Sequence, residues 1–374
     1  MEVRVNRIEF LKKLKTIEKA ITENKIKPII SCAYIEIIEN SLKFYGTNLE
    51  ITIVTSMEAE VKETGKIVFQ HQIVEEYLKE LNDEYFLLKS DNLVLTIETE
   101  DSATEFSLFD SDEFPKNHLI INIENEVNCF NIDSLELVEI FEKTKFAASQ
   151  SSDDMRINCI RIESNNNKMM FVGTDTYRLV YLEKAISSSE KFSLSLPLNT
   201  VDVITKLFRS FSNESVKVII GTKHIKFEIG GTVVISRIID LPYPDYKGIL
   251  GNLKHSKNLN IGTSEFLNML KRVIIFVKNN NDSKFGAIFS LEGDKIAITG
   301  SNDIAKIKEE SVVNYNGESI KISLNTKFLI EFINNLDQNS KMSLDLSDSS
   351  GSVRIIEEGK DNYLYIVMPL ALRA

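Results

Sequence analysis

Apolar residues alternate with polar ones at Val3 and Val5, then recur at Phe10, Leu14, Ile17 and Ile21, the spacing that places side chains on one face of a helix. The pattern predicts a strand followed by a helix over 8–21. After Pro28 the apolar runs are short, at 33–38, 42–45 and 51–54, and are separated by Glu39-Asn40-Ser41 and Gly46-Thr47-Asn48, which reads as strands joined by turns. A run at 66–69 leads into a second helical stripe at Ile73, Val74, Tyr77, Leu78 and Leu81. Strands at 85–88, 93–99 and 105–109 follow, up to Phe114-Pro115, where proline ends both ladder and helix.

The order then repeats. From Val127 come a strand to Ile132, a helix with Leu137, Val138 and Phe141, strands at 159–162 and 169–172, and a second helix with Val201, Ile204, Leu207, Phe208 and Phe211. Strands at 216–220, 225–229 and 233–238 close the unit at Pro242-Tyr243-Pro244. A third unit begins near Leu259, with a helix through Phe266, Leu270, Val273 and Val277. Its second helix carries Phe328, Leu329, Phe332, Ile333 and Leu336, which reproduces the stripe of 73–81 residue for residue. Gly46, Gly173 and Gly300 are spaced by about 127 residues, each after an apolar run and before a hydroxyl residue and Asn or Asp, where they read as turn glycines. Three similar domains are expected, 1–124, 125–252 and 253–374, each of two strand-helix-strands halves. One apolar stripe per helix implies helices packed on antiparallel strands, an α+β class.

Composition narrows the function. With 43% hydrophobic and 26% charged residues in 374, and no apolar run near the roughly 20 residues of a membrane span, the chain reads as a folded cytoplasmic protein. Its N-terminus alternates like a strand and lacks the apolar core of an export signal. Cys32, Cys129 and Cys159 form no short-spaced pair, and Cys32 and Cys159 read as buried thiols. His71, His118, His224 and His255 show no ligand spacing, so neither metal nor cofactor is expected. An enzyme is disfavoured: Gly221-Thr222-Lys223 lacks the upstream glycine of a phosphate loop, and Asp153-Asp154 reads as a solvated loop. The formal charge of −11 opposes simple surface binding of nucleic acid.

Three motifs in order, Thr174-Asp175 with Arg178-Leu179, Tyr243-Pro244-Asp245-Tyr246, and Tyr365-Ile366-Val367-Met368-Pro369-Leu370, make the whole chain resemble the bacterial sliding clamps, the β subunits of DNA polymerase III. The resemblance implies the DNA-clamp fold: a head-to-tail homodimeric ring with antiparallel sheets outside and helices inside, encircling duplex DNA without sequence specificity. The charge distribution leans that way, since the six helical windows together are slightly basic while the remainder of the chain is acidic. Phosphate-facing candidates are Lys12, Lys15, Lys19, Lys25, Arg156, Lys206, Arg209, Lys271, Arg272 and Lys278.

The resemblance also implies a pocket between the second and third domains that captures short peptides of the polymerase III α subunit, clamp-loader subunits, repair polymerases, mismatch-repair proteins and ligase. Its wall would comprise Ile157, Thr174, Arg178, Leu179, Pro244, Ile249, Asn325, Phe328, Ser352, Ile366, Met368, Pro369 and Leu370. Apolar members would bury the peptide's hydrophobic residues, while Thr174, Arg178 and Asn325 orient its polar groups. Phe106 would meet Ile275 and Phe276 of a second copy. Departures from the family pattern are Asn24 at a commonly basic position, Thr176-Tyr177 where Gly-His is common, Gly248 and the extension 371–374. The alternative is a monomeric tandem-repeat adaptor that binds peptides without DNA.

Overall fold

The computed structural model describes residues 1–115, 128–165, 167–186, 191–279 and 284–371. His118, the strand start expected at Val127, the border expected at 124/125 and residues 372–374 lie outside them.

Seven helices form among the described residues: α1 (Arg7–Glu18), α2 (His71–Glu80), α3 (Ser134–Lys145), α4 (Leu198–Phe208), α5 (Tyr246–Gly251), α6 (Thr263–Val277) and α7 (Thr326–Ile333). Helix α1 starts where the Asn6 side chain accepts the Glu9 N–H, and it buries Phe10, Leu14 and Ile17. It ends short of the predicted Ile21, with Lys19 as its C-cap. In α2, Ile73 is exposed although Val74 and Leu78 are buried, so the stripe there is narrower than its spacing suggested. Helix α5 was not foreseen, because six residues are too few to show a period. Asp245 caps it by accepting the Gly248 N–H.

Contacts divide the chain into two compact units that do not follow the three repeats. The first comprises Met1–Val138 and Asn199–Ile238. It holds a five-stranded sheet in the order Glu60–Glu63, Glu2–Asn6, Tyr85–Asp91, Val94–Glu98, Ala103–Ser107. Its eight-stranded sheet exists because Thr232–Arg237 pairs with Ile51–Glu58, Val234 opposite Ile53, which joins strands of the first and second repeats. The second unit, Glu139–Ser187, Lys191–Leu198 and Ile239–Ala374, has a nine-stranded sheet built around the pairing of Arg178–Lys184 with Tyr363–Val367. A four-stranded sheet, Lys306–Val312, Lys295–Ser301, Gly286–Glu292 and Ile320–Asn325, completes it.

The repeated glycines correct the sequence reading. Gly46, Gly173 and Gly300 lie inside strands Ser41–Thr47, Lys168–Thr174 and Lys295–Ser301, and none has the positive φ of a turn glycine. A Cβ on Gly46 would stand 2.6 Å from the Ile17 carbonyl oxygen of α1, and one on Gly173 would stand 2.5 Å from the Thr144 carbonyl oxygen of α3. On Gly300 it would meet the Val277 side chain of α6. The shared requirement is close approach of a helix to a sheet.

Candidate functional site

The turn after strand Lys168–Thr174 is built by two side chains. Thr174 Oγ1 donates to the Arg178 carbonyl oxygen (2.6 Å) and accepts the Thr176 N–H (3.1 Å). Asp175 Oδ1 accepts the N–H groups of Tyr177 (3.0 Å) and Arg178 (3.1 Å). Its sibling uses Thr47 and Asn48 in the same way, Asn48 Oδ1 accepting from Glu50 and Ile51. In the third copy Asn302 Oδ1 accepts from Ile304 and Ala305. The repeated polar pair is therefore an Asx turn, and only the middle copy adds an arginine.

That arginine is held by contacts inside the protein. Arg178 is 7% exposed, with Nε donating to Asp175 Oδ2 (2.9 Å), Nη2 to the Phe146 carbonyl oxygen (2.6 Å) and Nη1 to Glu331 of α7. Its guanidinium carbon lies 4.0 Å from the centre of the Phe328 ring. Each of its three nitrogens donates inside the protein, so Arg178 ties the turn to α7. Asn325 Oδ1 accepts the Phe328 N–H as the N-cap of α7. Thr174 is buried with its hydroxyl in the turn. Below them Tyr365 donates to the Phe328 carbonyl oxygen (3.2 Å) and stacks on Phe332 with ring centroids 4.6 Å apart.

Alternation along the strand sends Leu179 to the opposite face. Leu179, Ile366, Val172 and Tyr246 form one buried cluster, with Tyr181, Tyr243, Leu250 and Leu253 packed against it. Leu179 and Ile366 are thus core on this face. The ladder continues past the strand, since the Met368 N–H donates to the Tyr177 carbonyl oxygen (2.8 Å) and the Leu370 N–H to that of Ser323 (2.8 Å). Met368 (42% exposed) and Ile249 (44%) keep apolar surface in solvent, and Pro244, Pro369, Leu370 and Phe328 are half-buried. Ile157 is buried in the loop ahead of strand Cys159–Asn165, and Ser352 is half-buried ahead of Val353–Glu357; neither belongs to the cluster. Tyr246 at the start of α5, with Tyr181 and Tyr243 packed beside it, escaped the sequence reading. Their signal was the Tyr243-Pro244-Asp245-Tyr246 motif, of which only Pro244 had been taken as wall.

The basic candidates are spread over several elements. Lys12, Lys15, Lys19 and Lys206 line one groove of about 490 Å³ in the first unit, with Ile8 and Leu11 at its apolar part and Glu75 and Lys79 beside them. Lys79, which the sequence reading left out, pairs with Glu75 at 2.8 Å. Arg209 is exposed beyond the end of α4. Lys25 is exposed on a loop held by Asn24, whose Oδ1 accepts the N–H groups of Ile26 (3.0 Å) and Lys27 (2.8 Å). Lys271 and Lys278 are exposed on and just after α6. Arg272 instead holds both carboxylate oxygens of Glu309 (2.8 and 2.6 Å), keeping that acid below its usual range. Arg156 does the same to Asp154 (2.9 and 2.7 Å). Both arginines are more than half exposed and ion-paired to an acid of their own chain.

Phe106 is half-buried on Ala103–Ser107, the last strand of the five-stranded sheet, with its ring 5.5 Å from that of Tyr77 in α2. On α6 Ile275 is exposed and Phe276 half-buried.

Three family models match the chain in order: DNA polymerase III beta subunit, N-terminal domain (residues 1–119), central domain (131–245) and C-terminal domain (253–371). The chain belongs to the DNA polymerase III β-subunit family. It is 28% identical over 367 residues to the beta sliding clamp of Buchnera aphidicola subsp. Rhopalosiphum padi, spanning 96% of each chain. To the beta sliding clamp of Chlamydia muridarum it is 23% identical over 100% of this chain and 99% of the relative. The crystal structure of the DNA polymerase sliding clamp from Pseudomonas aeruginosa shares its fold, with a TM-score of 0.90 at 22% identity over the full length of both chains. The family makes this protein a sliding clamp, the class its motifs resembled.

Proposed function

We propose that two copies close head to tail into a ring around duplex DNA and tether the replicative polymerase and other partners for processive synthesis. The observation that carries this reading is the convergence of Lys12, Lys15, Lys19 and Lys206 on one groove in a protein whose net charge is −11. A basic helix face within an acidic molecule attracts the phosphate backbone to one surface and repels it from the others. Such a ring needs no base contact, because a topological link supplies the retention, and a ring threaded on DNA resides at the nucleoid.

Partner peptides of the polymerase α subunit, the clamp loader and repair proteins are proposed to bind along Met368, Ile249, Pro244, Pro369 and Leu370, at the junction of the expected domains 125–252 and 253–374. Their apolar anchors would cover the solvent-facing parts of Met368 and Ile249, over a floor formed by Leu179, Ile366 and the tyrosines. Ile157 and Ser352 are assigned to the border of this surface, and Thr174, Arg178, Asn325 and Phe328 to the frame that shapes it. The decisive experiment loads the protein onto closed circular DNA with a clamp loader and then cuts the circle. Retention before cutting and release after it is the expected result. Equal retention on both forms would leave the peptide-binding adaptor as the better reading.

A further inference from the structure

On the face of the nine-stranded sheet that carries Leu179, a groove opens farther along the same strands. Leu179, Tyr181 and Glu183 alternate onto this face, opposite Thr174, Val172 and Met170 of strand Lys168–Thr174. Tyr181 therefore stands about 7 Å beyond Leu179, two residues at the rise of a strand. Met170, Tyr181, Tyr246 and Leu250 line the groove, whose volume is about 490 Å³. The two tyrosine rings lie 6.3 Å apart at 36°, so its apolar part has the polarizable walls that suit an aromatic side chain. Its rim is charged. Lys168 donates to Glu183 (2.7 Å), which also accepts the Tyr181 hydroxyl (3.1 Å), and Lys247 donates to Glu163 (2.6 Å), which Arg161 also holds (3.1 Å). Three cations thus share two carboxylates. The side chains of Lys168 and Lys247 are 59% and 65% exposed, those of Glu183 and Glu163 27% and 13%, so positive charge faces solvent and the acids lie deeper. Tyr246 is buried, and its hydroxyl stands beside the Glu163 carboxylate without completing a hydrogen bond.

A buried hydroxyl without a partner is uncommon in a folded protein, and here it belongs to the wall of an open groove. An entering cation would have to displace Lys168 or Lys247 from its carboxylate, whereas an entering carboxylate meets exposed lysines at the mouth. Helix α5 links the groove to the partner surface, giving Ile249 to one and Tyr246, Lys247 and Leu250 to the other. We propose that the groove is an auxiliary subsite for partner peptides, which takes an aromatic side chain flanked by carboxylates, about two or three residues outside the apolar anchor. This rests on the peptide reading of Met368 and Ile249. It adds a basis for choice among partners, because peptides that share an anchor differ in what they place here. The contribution of the subsite falls as salt screens its exposed rim, while that of the apolar anchor does not.

The test is fluorescence anisotropy of the full chain with synthetic peptides that contain the clamp-binding segment of a polymerase III α subunit. Each is extended, at one end or the other, by Glu-Phe-Glu, Lys-Phe-Lys or Gly-Ser-Gly. At one of the two ends Glu-Phe-Glu is expected to bind at least about fivefold more tightly than Gly-Ser-Gly, with no such gain for Lys-Phe-Lys. In the variant Lys168→Glu with Lys247→Glu the preference should reverse. The Gly-Ser-Gly peptides should keep their affinity for it, which shows a folded chain with its anchor surface intact. The milder variant Lys168→Gln with Lys247→Gln should narrow the difference between the two charged extensions without reversing it. Equal affinity for all extensions on the unmodified chain, or a Glu-Phe-Glu gain that survives charge reversal, overturns the subsite and leaves the anchor surface standing. Failure of every peptide, Gly-Ser-Gly included, to bind the unmodified chain overturns the peptide reading itself and the subsite with it.

Discussion

Thr176 holds φ at 75°, a left-handed conformation that a β-branched residue rarely adopts, because the Asx turn on both sides fixes it there. Glycine removes that strain, so Thr176→Gly is expected to raise unfolding stability by about 1 kcal/mol in chemical denaturation, with no loss of peptide binding. Arg178 is the reverse case. Arg178→Met leaves Glu331 and the Phe146 carbonyl without their donor, which is expected to destabilise the chain by about 3 kcal/mol. Peptide affinity should fall with it through the displaced turn, and Arg178→Lys should rescue only part, since an ammonium cannot hold three divergent acceptors in a plane. The thiols give a pH test. Burial pushes Cys32 up to about 12 and Cys159 up to about 11, whereas Cys129 is exposed. An aromatic disulfide reagent at pH 8 should titrate Cys129 rapidly and the other two only after unfolding. Because the folded values are raised, the unfolded chain releases these protons first. Their contribution to stability is complete below about 8.5 and is lost as pH climbs toward 11–12.

Among the elements, the three helix–strand crossings at Gly46, Gly173 and Gly300 make a graded prediction. Alanine at Gly46 or Gly173 drives a methyl into helix backbone, which cannot yield without moving the helix, and should cost about 2–3 kcal/mol. At Gly300 the obstacle is the Val277 side chain, which can rotate, so Gly300→Ala should cost less; thermal melts of the three variants rank them. Periodicity made the long helices and most strands readable, and the repeat made three copies of one pattern visible. What it could not show was pairing. Nothing local to residues 178–184 marks their neighbour as 363–367, and the glycines looked like turn residues because a close helix crossing leaves no trace in the strand's own sequence. The site was legible in part for the same reason. Leu179, Ile366 and Met368 were named through the resemblance of their motifs, whereas the contacts that hold Arg178 depend on Glu331, which lies far along the chain. The ion pairs of Arg156 and Arg272, one with an acid two residues away and one with an acid on a distant strand, emerge only once geometry pairs them.

For the whole molecule, the groove of α1, α2 and α4 predicts how DNA is held. Lys12→Ala, Lys15→Ala and Lys19→Ala combined should leave the dimer unchanged, lower loading on circular DNA and flatten the salt dependence of DNA binding by about one unit of log–log slope for each lysine that meets a phosphate. Filter binding across a salt series measures it, and an unchanged slope would move the DNA path away from this groove. The nine-stranded sheet also has a consequence in time. Strand Arg178–Lys184 receives its neighbour Tyr363–Val367 only after about 180 further residues have been made, roughly 10–40 s of synthesis at ordinary elongation rates. Until then Leu179 has no Ile366 beside it and the Tyr177 carbonyl has no Met368. On the proposed reading, a chain whose synthesis has not passed Leu370 lacks the surface that would admit partners.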